Sequence, residues 1–379
     1  MSEFDGVDDL GLINDKQFIC SCQGFLTRNN GTRDICERFI RNGGHFYDVV
    51  SRYNSLCAYV LSRDDGRSGN TMKIIAPFLK AFGATDLKMH SASKEALDLF
   101  PSAGKTIRYA SGLMPTFIST GLYEHDMMNI CEGLDIPMGN MVYSELSLDA
   151  ADMTRQEGRV LREAAAEITA LKIPKFEYEL NVPTELNPAD VKIIKTMDKI
   201  YGEKLQKTSA GAIMRSMTSI GSNEKAYSLL EIRRKTSIDL DGTAYIGSDT
   251  SDFQAMQLVN ESGGLALSFN GEDFAVRGSN VAVLSKDCTV AAVLLQAFYN
   301  EGVEAVLRMA ENWNRNYLKN MEFPDSGLMD AFLKANPRKL PEVIAVNRNN
   351  IEEVVEKSKA YRKKILGFRS TGAGVRNGY

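Results

Sequence analysis

Histidine and tryptophan are scarce in this chain, with three of the first and one of the second in 379 residues. His45, His90 and His125 stand far apart, so no pair has the spacing of a metal-binding helix or finger. Six cysteines in a chain this long make no disulfide framework. Free thiols are expected at Cys20, Cys22, Cys36, Cys57, Cys131 and Cys288. Long hydrophobic runs are missing too. The stretch from Thr289 to Phe298 falls well short of the ~20 residues that a membrane span requires. The opening MSEFDGVDDL is acidic, without the basic start and apolar run of a signal peptide, so a cytoplasmic location is expected. Nor is there a surplus of one charge. Lys and Arg number 45 against 49 Asp and Glu, net −4, which argues against a dedicated nucleic-acid binder. Neither nucleic acid nor membrane is expected as a partner.

What is present fits a soluble α/β chain. Hydrophobic residues make up 44% and charged residues 25%, ordinary for a globular protein. Short apolar runs at Lys16–Cys22, Pro115–Thr120, Thr243–Gly247, Gly264–Phe269 and Asn280–Ser285 alternate with helical patterns, which predicts a parallel sheet with crossovers. Apolar residues at three- and four-residue spacing predict helices over Asp34–Ile40, Phe46–Leu61, Met72–Phe82 and Ser93–Phe100. Asn187-Pro188 reads as a cap followed by a first-turn proline. Further helices are expected over Ala291–Leu318 and Ile351–Leu366. The Gly-rich ending RSTGAGVRNGY reads as a frayed tail.

Several short motifs lead nowhere. Gly104-Lys105-Thr106 has Leu99 where a phosphate loop needs its first glycine. Cys20 and Cys22 have no second pair at zinc spacing. Asp239-Leu240-Asp241-Gly242-Thr243 follows a charged segment, with too little chain after it for a crossover, and reads as an Asp/Gly turn.

The strand ends together carry more. FICSCQGFLT has the frame hhhhDxDGTLT, and PTFIST is an apolar strand ending in hydroxyls. Lys225 in SNEKAYSLLEI opens a helix ahead of AYIGSDTSDFQAM, which has the frame GDxxxD. In this order the segments resemble the four motifs of the haloacid dehalogenase-like (HAD) superfamily, and the chain resembles an archaeal branch of it, in EVVEKSKAYRKKI as well. The resemblance implies a Rossmann-like α/β core with a parallel sheet. The discontinuous core would span 14–28, 113–135 and 221–290, with a helical insertion at 29–112 and a helical cap insertion at 136–220. A helical C-terminal extension at 291–379 would end in the tail.

In that superfamily an aspartate attacks a phosphoryl group and a second serves as acid and base. A hydroxyl and a lysine hold the phosphoryl oxygens, and carboxylates hold Mg²⁺. Here the nucleophile position is Ser21, the acid/base position is Gln23, and the first carboxylate of the fourth motif is Ser248. The resemblance leaves Ser119, Thr120 and Lys225 as phosphate-binding positions. Asp252 keeps its place as a metal carboxylate, and Asp249 sits one residue late. The expectation is a HAD-like protein that has lost Mg²⁺-dependent phosphoryl transfer and binds a protein partner or a small phosphorylated ligand. No cofactor is expected, with Mg²⁺ only if activity survives. One alternative is a phosphatase with atypical residues, using Asp249 and Asp252 or the pair Asp239 and Asp241. The other is a subunit of a larger assembly. Oligomeric state is not legible.

Overall fold

A computed structural model describes residues 14–61, 63, 66–176 and 186–366. The acidic opening and the C-terminal tail read from the sequence lie outside them. Seven strands form one sheet in the order β3-β2-β1-β4-β5-β6-β7. They are β1 (Gln17–Cys20), β2 (Thr116–Tyr123), β3 (Met141–Ser144), β4 (Thr243–Gly247), β5 (Leu265–Phe269), β6 (Val281–Leu284) and β7 (Glu342–Ala345). The first six are parallel, and β7 joins β6 antiparallel. The α/β class, the mostly parallel sheet and the helical extensions are those expected.

Period-two alternation sorts the strand residues onto two faces. Phe18, Cys20, Ala244, Ile246, Leu265 and Leu267 enter one buried cluster with the helix Thr289–Glu301. Ile19, Tyr245 and Ala266 enter another, beneath the helices Ser222–Thr236 and Phe253–Glu261. Apolar residues on both faces are what a parallel sheet covered by crossover helices requires.

The two long interruptions meet in space. Helices Gly31–Phe39, Gly43–Ser55 and Asn70–Ala81 from the first share one hydrophobic cluster with Arg155–Ala170, Pro188–Lys199 and Ser209–Ser216 from the second. They make one cap with its own core. Two sheet elements fall inside the stretches read as helical insertions. β3 lies within 136–220, and the helix Ala103–Leu113, all but its last residue within 29–112, packs its Ile107 and Ala110 into the sheet cluster. Likewise β7 extends the sheet from within 291–379.

Some expected helices differ. The predicted helix Ser93–Phe100 stops at Ala96, and Leu99 instead bridges to Thr27 beside the site. The predicted Ala291–Leu318 helix is three helices, the first break falling at Gly302. Ile351–Leu366 is helical as expected, and Asn187 caps its helix by accepting from Asp190 N at 2.9 Å. Among the described residues the six cysteines are buried and form no disulfide. No described helix is long and apolar enough to cross a membrane.

Candidate functional site

The chain steps outward from β1 in one direction through β2 and β3, then returns to β1's other side with β4 and continues through β5. The carboxyl ends of β1, β2 and β4 therefore border the point where the strand order reverses, the usual ligand position in such sheets. A partly open cavity of ≈ 110 Å³ sits there between sheet and cap. From the sheet side come Ser21, Gln23, Thr120, Lys225, Asp249 and Ser251. The cap contributes hydroxyls and amides, including Thr32, Ser51, Asn54 and Ser55.

β1 delivers Ser21, whose N–H donates to Ile246 O at 2.9 Å. The chain then turns sharply, with the amides of Leu26 and Thr27 both donating to Cys22 O. Gly24 makes this possible. Its φ is +84°, and a Cβ there would lie 2.0 Å from Ser248 Oγ, so only glycine lets the turn close onto β4. The Ser21 hydroxyl is buried, lines the cavity and has no hydrogen-bond partner among the described residues.

Lys225, at the start of the Ser222–Thr236 helix, is almost wholly buried. Its ammonium donates to Asp252 Oδ1 and to Ser251 Oγ, each at 2.7 Å. Burial alone would lower its pKa, but Asp252 and Asp249 outweigh burial and hold it above the ordinary lysine value. Asp252 is heavily engaged. Besides Lys225 it accepts from Tyr245 Oη at 3.0 Å and from the amides of Ser248 and Asp249 at 2.9 and 3.1 Å. Asp249 caps the following turn by accepting from Ser251 N at 2.7 Å and from Ser251 Oγ. Burial pushes its carboxyl up, yet Lys225, Ser251 and Arg362 together bring it below the usual range.

Sequence expectations and geometry part over Ser119 and over the metal carboxylates, and agree on Asp239 and Asp241. Ser119 faces away from the cavity and pairs with Ser228 Oγ at 3.0 Å. Adjacent strand residues point to opposite faces, so Thr120, which lines the cavity, and Ser119 cannot both serve one phosphate. Asp239 and Asp241 sit before β4, at the opposite end of the strand from the cavity. There Asp239 pairs with Arg233 and Asp241 caps Gly242 N. They form a turn, as read. As metal carboxylates, Asp249 and Asp252 are already committed to Ser251 and Lys225.

Mg²⁺, which the resemblance implies, does not fit the residues present. Among the described residues no three His, Cys, Asp or Glu side chains converge on a metal position. The hydroxyl of Ser248, at the metal-carboxylate position, accepts from Arg362 Nη1 at 2.8 Å and donates to Phe269 O at 2.9 Å. A hydroxyl beside a guanidinium is a poor place for a divalent cation. Sequence reasoning missed Arg362, Glu272 and Tyr245 altogether. It also missed the cap hydroxyls, although Ser51, Asn54 and Ser55 share one helix face at three- and four-residue spacing, a readable signal of a polar buried stripe.

No protein-family model matches the chain, and no curated protein matches it. Among solved structures, the AF1437 gene product of Archaeoglobus fulgidus is similar at a TM-score of 0.74 and 18% identity, covering 95% of this chain and 99% of that one. At that identity the likeness concerns the fold alone. Phosphoserine phosphatase in its apo form aligns with a TM-score of 0.43 and 11% identity, over 72% of this chain and 94% of that one. Its phospho-aspartyl intermediate analogue aligns at 0.43 and 10% over the same shares. Superpositions this loose carry no argument about chemistry.

Proposed function

We propose that this chain is a HAD-like protein that binds a small polar ligand, a phosphorylated metabolite included, and does not carry out Mg²⁺-dependent phosphoryl transfer. The observation behind this reading is the unpartnered, buried hydroxyl of Ser21, aimed into a cavity walled by hydroxyls and amides. A buried polar atom without a partner costs roughly 1–3 kcal/mol, which a ligand or water in the cavity would recover. Chemistry is poorly supported. A serine nucleophile needs a base, Gln23 does not titrate, and no histidine lines the cavity. Lys225 is held by Asp252 and Ser251, though an ammonium has a third N–H for an acceptor on the ligand.

The test is a phosphate-ester panel with Mg²⁺, run on the natural chain and on Ser21→Ala, with thermal shift on the same compounds. The expected result is stabilisation by at least one compound, following RT ln(1 + [L]/Kd), without turnover. Mg²⁺-dependent turnover that Ser21→Ala abolishes would overturn the reading. One observation favours a second reading, a phosphomonoester hydrolase of atypical type: Asp249 lines the cavity with a lowered pKa. It predicts turnover that survives Ser21→Ala and disappears in Asp249→Asn.

A further inference from the structure

Four buried oxygens surround the guanidinium of Arg362. Its Nη1 donates to Ser248 Oγ at 2.8 Å and to Asn270 O at 2.9 Å, with Ser248 O farther off at 3.4 Å. Its Nη2 faces Glu272 Oε1 at 3.3 Å. Hydroxyl, carbonyls and carboxylate together make an all-oxygen cradle of the kind that hard cations choose. Gly24 closes a further side, since a Cβ there would come within 3.1 Å of Nη1. The turn after β1 and the end of β4 are thus pressed against one planar cation.

The helix that delivers this cation is fixed independently of it. Val354 and Val355 pack on Val276 and Ala282. Ser358 Oγ donates to Gly271 O at 2.6 Å, Lys359 pairs with Asp273 at 3.1 Å, and Arg277 pairs with Glu352 at 2.8 Å. Charge explains the need. The carboxylates of Asp252 and Glu272 are buried past the ends of β4 and β5, and Lys225 pairs with the first. Arg362 is the cation that faces the second.

We propose that Arg362 is the resident cation of the site. It takes the charge-neutralising role of a divalent metal behind the cavity wall, where the Ile351–Leu366 helix presses it against Ser248 and Glu272 and so keeps metal out of the site. This rests on the reading of the cavity as a metal-free binding site and adds how the chain neutralises it.

The experiment measures Mn²⁺ binding by electron paramagnetic resonance and thermal unfolding in millimolar Mn²⁺, on the full chain and on Arg362→Ala, Arg362→Lys and Ser248→Asp. The natural chain, Arg362→Lys and Ser248→Asp should leave Mn²⁺ free in solution. Arg362→Ala should melt about 4–6 °C lower, as expected for one partner removed from a buried charge pair in a chain this long. Mn²⁺ should restore at least half of that loss. Specific Mn²⁺ binding by the natural chain, by Arg362→Lys or by Ser248→Asp overturns the proposal, and these three remain informative if Arg362→Ala does not fold. A folded Arg362→Ala with an unchanged melting temperature and no response to Mn²⁺ also overturns it. Mn²⁺ binding by the natural chain without turnover would sink this inference alone. Turnover that Ser21→Ala abolishes, in a chain that leaves Mn²⁺ free, would sink the binding reading alone.

Discussion

Glu272 faces Arg362, Thr250 and Asp249 in a buried pocket, and burial dominates. It raises the carboxyl from the ordinary glutamate value of 4.5 to about 7, with Arg362 opposing the rise and Asp249 adding to it. Between those two values the folded chain keeps the proton and the unfolded chain releases it. Stability from this residue is therefore present below pH 4.5 and is lost as pH rises to about 7. Asp126, pushed up to about 6 chiefly by burial, adds to the slope in the same direction. His125, lowered by burial against the pull of Asp86, works oppositely. Glu272→Gln isolates the first contribution, since both other groups remain. Urea unfolding from pH 5 to pH 8 should show the natural chain losing up to about 3 kcal/mol more than the variant. Parallel stability curves for the two would contradict the assignment.

Among elements, Gly302 turns what reads as one helix into two. Its φ of 77° and ψ of −165° lie in a region that essentially only glycine enters, yet a Cβ there would meet nothing within 4 Å. Gly302→Ala should therefore destabilise by about 1–3 kcal/mol through the backbone alone. Denaturant unfolding checks this, and an unchanged midpoint would mean that the junction relaxes into continuous helix. The apolar spacing across Ala291–Leu318 shows no trace of this break, because periodicity reports the face of a helix and not the dihedral of one glycine. The parallel strands β1, β2, β4, β5 and β6 were legible because each is a compact apolar run, and Asn187-Pro188 because capping is local chemistry. β3, with the sequence MVYS, and the antiparallel edge β7 were not, since edge strands of four residues carry little pattern. The same division holds at the site. Ser21, Gln23, Thr120 and Lys225 meet because motif order reports sheet order. Arg362 reaches Ser248 through a tertiary contact between distant segments, and nothing local in YRKK distinguishes it from its neighbours.

At the scale of the molecule, the cap and the sheet have separate hydrophobic clusters, with the cavity between them. Tyr123, the last residue of β2, enters the cap cluster and donates to Met72 O at 2.8 Å. Beside it Ser222 N donates to Ser68 Oγ, and the backbones of Gly69 and Gly221 approach so closely that a Cβ on Gly221 would fall 2.3 Å from Gly69 N. The cavity draws its walls from both, so separate opening of the two is expected. Native-state hydrogen exchange should then group cap amides such as Val49–Tyr53 and Ala164–Ile168 at one opening free energy. The amides of β1, β4 and β5 should open only at a higher, global one. A compound that fits the cavity should raise the cap value toward the global value, because it bridges both units. A single opening free energy for cap and sheet in the unliganded chain would instead mean that the contact between them is as cooperative as either core, and that the cavity is a fixed part of one unit.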